Sequence, residues 1–277
     1  MANSDYSVTA TSAPFCPNAQ IVNAVGPLTT VFDIENLRST GVDEILAGEA
    51  AMINDEIVKV VSISSTELVV ARGCADTIPQ AHAAGSRIWF FNDSIGYDGR
   101  EYAGSETVGV KILPKTASSQ VPIEYSPPSA LTFNFRFARP YAPGLVEVNG
   151  DPFTEVKTIN PTNDTLSLTW AHRDRVTQFD QLIDHLATSI GPEAGTTYTV
   201  KAHRSSDNSV VRTTTGITGA SWTYPLATAR SDFGITVGAV GAPVVLTDGY
   251  LTLEAVRDGY TSWQKYRIDF KVSNAAV

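Results

Sequence analysis

The sequence is short of cysteine and of long apolar runs, and each shortage excludes a class of protein. Its 277 residues include two cysteines, Cys16 and Cys74, which are too few for a disulfide framework. No stretch approaches the ~20 apolar residues of a membrane span, and residues 1–15 have neither the basic nor the apolar region of a signal peptide. We therefore expect two reduced cysteines and no insertion into a membrane.

Basic residues are also scarce. Lysine and arginine number 20 against 29 aspartates and glutamates, which gives a formal net charge of -9. Sequence-independent binding to nucleic acid or anionic lipid depends on basic side chains that neutralise phosphates. The charge therefore argues against nucleic acid as a partner and leaves proteins, carbohydrates or small molecules.

The common catalytic motifs are missing as well. The sequence has no Gly-Lys-Ser phosphate loop, no G-x-S-x-G elbow and no H-E-x-x-H helix. Paired carboxylates for glycosidic cleavage are recognised by their separation across a cleft, which a sequence does not give. We expect a protein that is not an enzyme and has no catalytic residues, no cofactor and no metal.

What the sequence does have is alternation of apolar and polar residues. Short β-branched or aromatic runs at 56–63, 67–71 and 87–91 are separated by Ser, Gly and Pro, which is typical of antiparallel strands. Residues 29–41 fit either a short helix or a bent strand. The pattern predicts an N-terminal β module over residues 1–95, either barrel-like or a sandwich.

Proline and glycine dominate the next segment, residues 96–130. It contains Pro114, Pro122, Pro127 and Pro128, and proline fixes φ and removes a hydrogen-bond donor. We predict an extended linker here, within which the run TVGVKILP could still form a strand.

Alternation returns in residues 131–277, beginning with the run 131–138. Seven or more short strands with turns between them predict a β-sandwich, so the fold class is all-β. Leu166, Leu168 and Trp170 would share one buried face, because side chains in a strand repeat every second residue. Asp258-Gly259 suits a tight hairpin, and residues 176–187 are the best helix candidate.

One turn brings chemically active residues together, namely Cys74, Asp76 and His82. A nucleophilic cysteine needs a lowered thiol pKa and a base within reach, and zinc needs three or four ligands where this turn offers two. We favour a structural turn in which Arg72-Gly73 reverses the chain and Asp76 or Thr77 caps it with side-chain hydrogen bonds.

A second polar stretch follows the strand that ends near Ala171. Its histidines and carboxylates could bind a cation or act as acid and base, but their spacing fits no known ligand motif. We favour ion pairs that order the loop, with Arg173 and Arg175 pairing with Asp174 or Asp180. The residues concerned are His172, Arg173, Asp174, Arg175, Asp180, Asp184 and His185.

Two aromatic residues follow the Asp258-Gly259 turn. Tyr260 and Trp263 could stack on a sugar or a partner protein, but a tryptophan contributes most when it is buried, so we favour Trp263 inside the sandwich. As the candidate interaction surface we take Tyr260, Trp263, Arg173 and Arg175.

The second half resembles a fibronectin type III domain. The runs LSLTW, TYTV and LTLEAVRDGYTSW fall in the order and spacing of that family. The segment 176–195 departs from the family, which has a short connection between its second and third strands. The resemblance implies a sandwich with a loop particular to this chain.

Residues 40–277 as a whole resemble tail proteins of tailed bacteriophages. The resemblance lies in the order of GEAAMINDEIVKVV, VVARG, AHAAGSRIWFF and RPYAPGLVEVNG, although Cys74-Ala75-Asp76 stands where a Gly-Thr step is common. It implies a structural protein of the virion tail, at the tail tip or baseplate. The N-terminal module would dock on the tail, and the sandwich would project for assembly or host contact.

The same resemblance implies the partners. They are other tail proteins, symmetric copies of the chain, and a glycan or protein of the host surface. Two alternatives stay open: a receptor- or carbohydrate-binding tail fibre, and an envelope-degrading hydrolase.

Overall fold

The computed structural model describes residues 16–39, 44–92, 100–113 and 115–276, and their regular structure is almost entirely β. In these ranges the chain forms eighteen strands and one α helix. The all-β prediction is therefore confirmed. The predictions on residues 1–15 and on Pro114 lie outside the described residues. Within the described ranges, no helix has the length and apolar character needed to cross a bilayer.

The N-terminal module is a closed six-stranded barrel. All neighbouring strands are antiparallel, in the order β1-β2-β5-β4-β3-β6, and β6 pairs back with β1. This settles the choice between barrel and sandwich. The strands are β1 (Asn18–Ile21), β2 (Val31–Arg38), β3 (Ala50–Ile53), β4 (Glu56–Ile63), β5 (Glu67–Ala71) and β6 (Arg87–Trp89).

Strand β2 occupies most of the run that fitted either a helix or a bent strand. Phe32 and Ile34 point inward while Val31 and Asp33 are exposed, which is the period of two expected of a half-buried strand. Phe32 is fully buried together with Leu68 and Ile88, so the barrel interior is filled by side chains.

The C-terminal body is a sandwich of two sheets. One has the order β10-β9-β12-β15 and the other β11-β18-β16-β13-β14, with β17 paired to β16. This division of strands between two sheets is that of a fibronectin type III-like sandwich. The strands are β9 (Gly144–Val148), β10 (Asp151–Pro152), β11 (Lys157–Ile159), β12 (Thr165–Ala171), β13 (Thr197–Arg204), β14 (Val210–Ile217), β15 (Ser221–Pro225), β16 (Leu246–Arg257), β17 (Tyr260–Thr261) and β18 (Tyr266–Ser273).

The predicted core face of the sandwich is confirmed. Leu166, Leu168 and Trp170 on β12 are buried, and they face Tyr198 and Val200 on the opposite sheet. The Trp170 and Tyr198 rings lie 5.1 Å apart between centroids. Each large apolar side chain buried in this way contributes about 1.5–3 kcal/mol.

The predicted hairpin at Asp258-Gly259 is also confirmed. Asp258 has φ 49° and Gly259 has φ 80°, the positive values that a two-residue hairpin turn requires. This turn joins β16 to β17.

The helix prediction is wrong. Residues 176–187 form two turns joined by an irregular stretch, and the Arg173 guanidinium binds the carbonyl oxygens of Asp184, His185 and Ala187. The helix of the described residues is α1 (Leu226–Phe233), preceded by Pro225 and ended by Gly234 in the left-handed conformation.

Contacts divide the chain into two compact units, and residues 100–139 belong to the smaller one. Here β7 (Thr107–Val110) pairs with β8 (Ser129–Thr132). One 3₁₀ turn lies between these strands at Ile123–Tyr125, and another follows β8 at Arg136–Ala138. The segment expected to be an extended linker therefore contains one strand and the start of another.

The run 131–138 is predicted as the first strand of the sandwich. In the structure, only residues 131 and 132 of this run are in a strand, β8, which ends at Thr132. Phe135 has φ 51°, a left-handed value that breaks an extended strand. The first strand of the sandwich is β9, which begins at Gly144.

Candidate functional site

Arg72 and His82, both named in the predicted barrel turn, meet around a carboxylate that the sequence analysis missed, Glu56. Its two oxygens accept hydrogen bonds from Arg72 Nε and Nη2, both at 2.8 Å, and from the backbone N–H groups of Gly73 and Gln80 at 2.9 Å. His82 Nε2 lies 2.9 Å from the same carboxylate. All three side chains are fully buried.

The orientation of the Asn54 amide assigns a role to each ring nitrogen of His82. Asn54 Nδ2 can only donate, so His82 Nδ1 accepts from it at 3.1 Å, and His82 Nε2 carries the proton that points at Glu56. Burial raises the pKa of Glu56, but the hydrogen bonds from Arg72 and His82 outweigh burial and hold it below its usual value. Glu56 is therefore an ionised acceptor with its donors already in place.

The surroundings of Cys74 oppose formation of a thiolate. Its side chain is fully buried, and burial raises the pKa of the thiol to about 12. The thiol approaches the Ala71 carbonyl oxygen, whereas His82 binds Glu56 and Asn54. Thr77 Oγ1 accepts from the Ile57 N–H and donates to the Cys74 carbonyl, as a capping side chain does. These contacts support the structural turn.

Arg173 is buried and not part of an exposed surface. Its guanidinium donates to the carbonyl oxygens of His172, Asp184, His185, Ala187 and Thr188 at 2.8–3.3 Å. The predicted pairing with a carboxylate is therefore wrong for Arg173, but the prediction that this side chain orders the loop is right. The reason is geometric, since one planar fork can reach several carbonyls at once.

Arg175 pairs with a carboxylate from outside the predicted set. Glu193 lies 3.0 Å from Arg175 and 3.2 Å from Arg257, while Asp174 caps the following turn by accepting from Val176 and Thr177. Among the described residues no group of three or more His, Cys, Asp or Glu side chains is placed to hold a metal ion.

The two histidines of this loop have different hydrogen-bond partners. His172 Nδ1 lies 2.8 Å from the Tyr198 hydroxyl, and the His185 backbone N–H donates to the Arg72 carbonyl at 3.0 Å. Burial lowers the pKa of both His172 and His185, which favours their neutral forms.

The barrel and the sandwich meet directly at this point. Gln264 Oε1 accepts from the Ile78 N–H at 2.8 Å, and Gln264 Nε2 donates to the Asp55 carbonyl at 2.7 Å. Arg72 holds Glu56 with its side chain and accepts from His185 of the sandwich with its carbonyl. The junction is thus built from hydrogen bonds to main-chain groups.

A shallow groove of about 380 Å³ lies beside this junction. Trp263 is 37% exposed there, so the prediction that it lies inside the sandwich is wrong. The hairpin ends after Thr261, and the chain bends at Trp263 and Gln264 before β18 begins. Tyr260 is partly buried in β17. The groove is lined by Ile78, Gln80, Glu254, Thr261, Ser262, Trp263, Gln264 and Lys265.

No protein-family model matches the chain, and neither does any curated protein. Among solved structures, the crystal structure of chicken CNTN1 FN1–FN3 domains aligns with 94% of this chain and 67% of its own, at 11% identity and a TM-score of 0.28. A TM-score of 0.28 does not establish a shared fold.

Proposed function

We propose that the protein is a structural component of a phage virion tail, at the tail tip or baseplate. The barrel would dock on the tail, and the sandwich would project for assembly or host contact. A structural role is supported most directly by the burial and contacts of four side chains, Glu56, Arg72, His82 and Arg173. All four are buried, and they brace the turns at which barrel and sandwich meet.

The assignment to a phage tail is based on the order of sequence motifs over residues 40–277. Symmetric copies in a tail would turn modest contacts into a firm attachment, since linked sites raise the effective concentration of one another. The closed barrel has no free strand edge, so docking through it would use side chains.

The test uses purified particles of the phage that encodes the chain. We expect mass spectrometry to find the protein at a fixed copy number per particle, and gold-labelled antibodies to mark the tail end distal to the capsid. A protein that is made during infection but is absent from purified particles would refute the proposal.

A second candidate function, carbohydrate binding, is favoured by the groove beside Trp263. An exposed indole next to amide, carboxylate and ammonium groups offers both a stacking face and hydrogen bonds for a sugar. Gln80, Glu254 and Lys265 supply the polar groups.

This candidate has a matched control within the chain. Full-length protein is screened on a glycan array, and any hit is repeated with Trp263→Ala and Trp89→Ala. Trp89 is 40% exposed on the barrel, close to the 37% of Trp263. Binding that only Trp263→Ala abolishes supports a sugar site, whereas equal loss in both variants or no hit at all argues against one.

An envelope-degrading hydrolase is the remaining alternative. We expect no turnover of peptidoglycan or bacterial polysaccharide. Turnover that disappears in Glu254→Gln, the carboxylate in the groove, would establish an enzyme instead.

A further inference from the structure

His185 lies buried between the barrel and the sandwich, with 6% of its surface exposed. Its backbone N–H donates to the Arg72 carbonyl of the barrel at 3.0 Å. Its own carbonyl accepts from the Leu145 N–H and from the Arg173 guanidinium, both of the sandwich. A displacement of His185 would therefore disturb contacts on both sides of the junction.

One barrel turn, residues 72–80, makes two of the hydrogen bonds that cross this junction. Arg72 at the start of the turn accepts from His185, and the Ile78 N–H near its end donates to Gln264 Oε1 at 2.8 Å. Because both bonds hold the same turn against the sandwich, we expect them to open together.

Four ionised groups surround the His185 imidazole, and their charges cancel. Glu56 and Arg72 belong to the barrel, and Asp184 and Arg173 belong to the sandwich. Each body thus contributes one negative and one positive charge. A proton on His185 would add a positive charge that this set does not balance.

The other titratable groups close to these charges are neutral. Burial raises the pKa of the Cys74 thiol to about 12, and it raises the pKa of the Tyr266 hydroxyl as well. His82 donates to Glu56 through Nε2 and accepts from Asn54 at Nδ1, which is the pattern of a neutral ring. None of these three groups supplies a counter-charge for a protonated His185.

Burial opposes the charged form of His185. Its ring makes no hydrogen bond to another residue of the described chain, and a buried charge without such a partner is costly. Burial accordingly lowers the pKa of His185 from its ordinary value of 6.5. The carboxylates of Asp184 and Glu56 act against this effect, and the two arginines add to it.

We propose that the junction between barrel and sandwich is sensitive to acid and that His185 is the residue that senses it. Protonation favours a conformation in which the ring reaches water, and this movement separates the His185 N–H from the Arg72 carbonyl. The turn 72–80 then leaves the sandwich while both bodies keep their cores. This inference goes beyond the proposed function, because it concerns the purified protein and requires no phage particle.

The direction of the pH effect follows from the lowered pKa. An open junction, with His185 in water, binds a proton near pH 6.5, whereas the closed junction binds it only at lower pH. The closed form is therefore fully favoured above pH 6.5. As the pH falls from 6.5 to the folded-state pKa, the opening equilibrium rises by at most about tenfold per pH unit, and below that pKa it levels off.

Native-state hydrogen exchange of the full-length protein measures this opening. The readout is the protection factor of the Ile78 N–H from pH 7.5 to pH 5, a range that stays above the pKa of Glu56. We expect this protection to fall by up to about tenfold per pH unit below pH 6.5.

The core amides of Val60 in the barrel and Leu253 in the sandwich show whether the opening is local. Both residues are buried in strands. Protection of the Ile78 N–H should be at least about tenfold lower than theirs, because an open junction leaves both cores folded. Equal protection at all three sites would show that the junction opens only when the whole protein unfolds, which would overturn the proposal.

Two histidine variants identify the residue that senses pH. His185→Gln keeps a polar side chain that takes up no proton, so the protection of Ile78 should be constant over the range. His172→Gln is the matched control, because burial also lowers the pKa of His172 but its hydrogen bonds all lie within the sandwich. It should keep the wild-type decline. A decline that persists in His185→Gln, or that disappears in His172→Gln, would overturn the proposal.

A measurement on the wild type keeps the proposal testable if His185→Gln does not fold. The chain has four histidines, and NMR titration of their ring signals gives a pKa for each. We expect His185 to titrate below pH 6.5 in the folded protein. A His185 ring that titrates at or above pH 6.5 would overturn the proposal, because its protonation would then not favour opening.

Discussion

At the scale of single residues, Glu56 shows how a carboxylate can be chemically prominent and yet structural. It is fully buried and receives five hydrogen bonds, from Arg72, His82 and two backbone N–H groups. A buried charge of this kind is tolerable only because each oxygen is paired. Nothing in its sequence neighbourhood, NDEIV, separates it from an ordinary strand-end glutamate, so the sequence analysis missed it.

Removing the charge of Glu56 should be costly. In Glu56→Gln, Arg72 keeps its buried charge but loses the paired carboxylate, so we expect the free energy of unfolding to fall by about 3–5 kcal/mol. Glu67→Gln is the matched control, because Glu67 also begins a barrel strand but is exposed. Urea unfolding measures both. A loss below about 1 kcal/mol in Glu56→Gln would contradict the role assigned to the cluster.

The same residue predicts a pH dependence. The pKa of Glu56 is lower in the folded protein than its ordinary value of 4.5. The stabilisation that it provides is therefore fully present above pH 4.5 and is lost as the pH falls through the folded-state pKa. We expect the difference in unfolding free energy between wild type and Glu56→Gln to be constant from pH 6 down to about pH 4.5 and to shrink below it. A difference that does not change between pH 6 and pH 3 would show that the ionised form is not what stabilises the barrel.

At the scale of elements, the loop 172–196 shows where an apolar sequence pattern predicts the wrong secondary structure. The apolar spacing of residues 176–187 predicts a helix, but the chain forms turns there, and Arg173 binds the Asp184 and Ala187 carbonyls. The true helix, α1, is short and has a weak apolar pattern, although Pro225 before it and Gly234 after it are the signals that could have located it.

Arg173 should therefore control the order of this loop. We expect Arg173→Met to reduce the unfolding free energy by about 2–4 kcal/mol, because several buried carbonyls lose their donor together. Hydrogen exchange of residues 172–190 should become faster. Arg38→Met, at an exposed strand end, should change neither quantity. Unchanged exchange in Arg173→Met would mean that the loop is held by other contacts.

The strands were predictable because their signal is local. Alternation in 56–63, 67–71 and 165–171 follows from which face each side chain presents, and the structure confirms it. The partners of Glu56, Arg173 and Glu193 were not predictable, because they come from distant parts of the chain. Only the folded chain brings Arg72 into contact with His185 and Asp55 into contact with Gln264.

At the scale of the whole molecule, Gln264 connects the barrel to the sandwich. In Gln264→Ala, the Ile78 N–H and the Asp55 carbonyl both lose their partner, and we expect a loss of about 1–3 kcal/mol. Scanning calorimetry should show a lower midpoint than in wild type. Gln20→Ala serves as the control, because Gln20 bonds only within the barrel. A midpoint for Gln264→Ala equal to that of Gln20→Ala would show that this bridge does not couple the two bodies.

The Arg72 carbonyl has a consequence for how the chain is made. A protein emerges from the ribosome with its N-terminus first, and domains commonly fold as they emerge. We expect the barrel to be complete, with Arg72 held by Glu56, before residue 185 has been synthesised. When residue 185 emerges, the Arg72 carbonyl that accepts its N–H would already be in its final position. The folded barrel would then direct the folding of the sandwich.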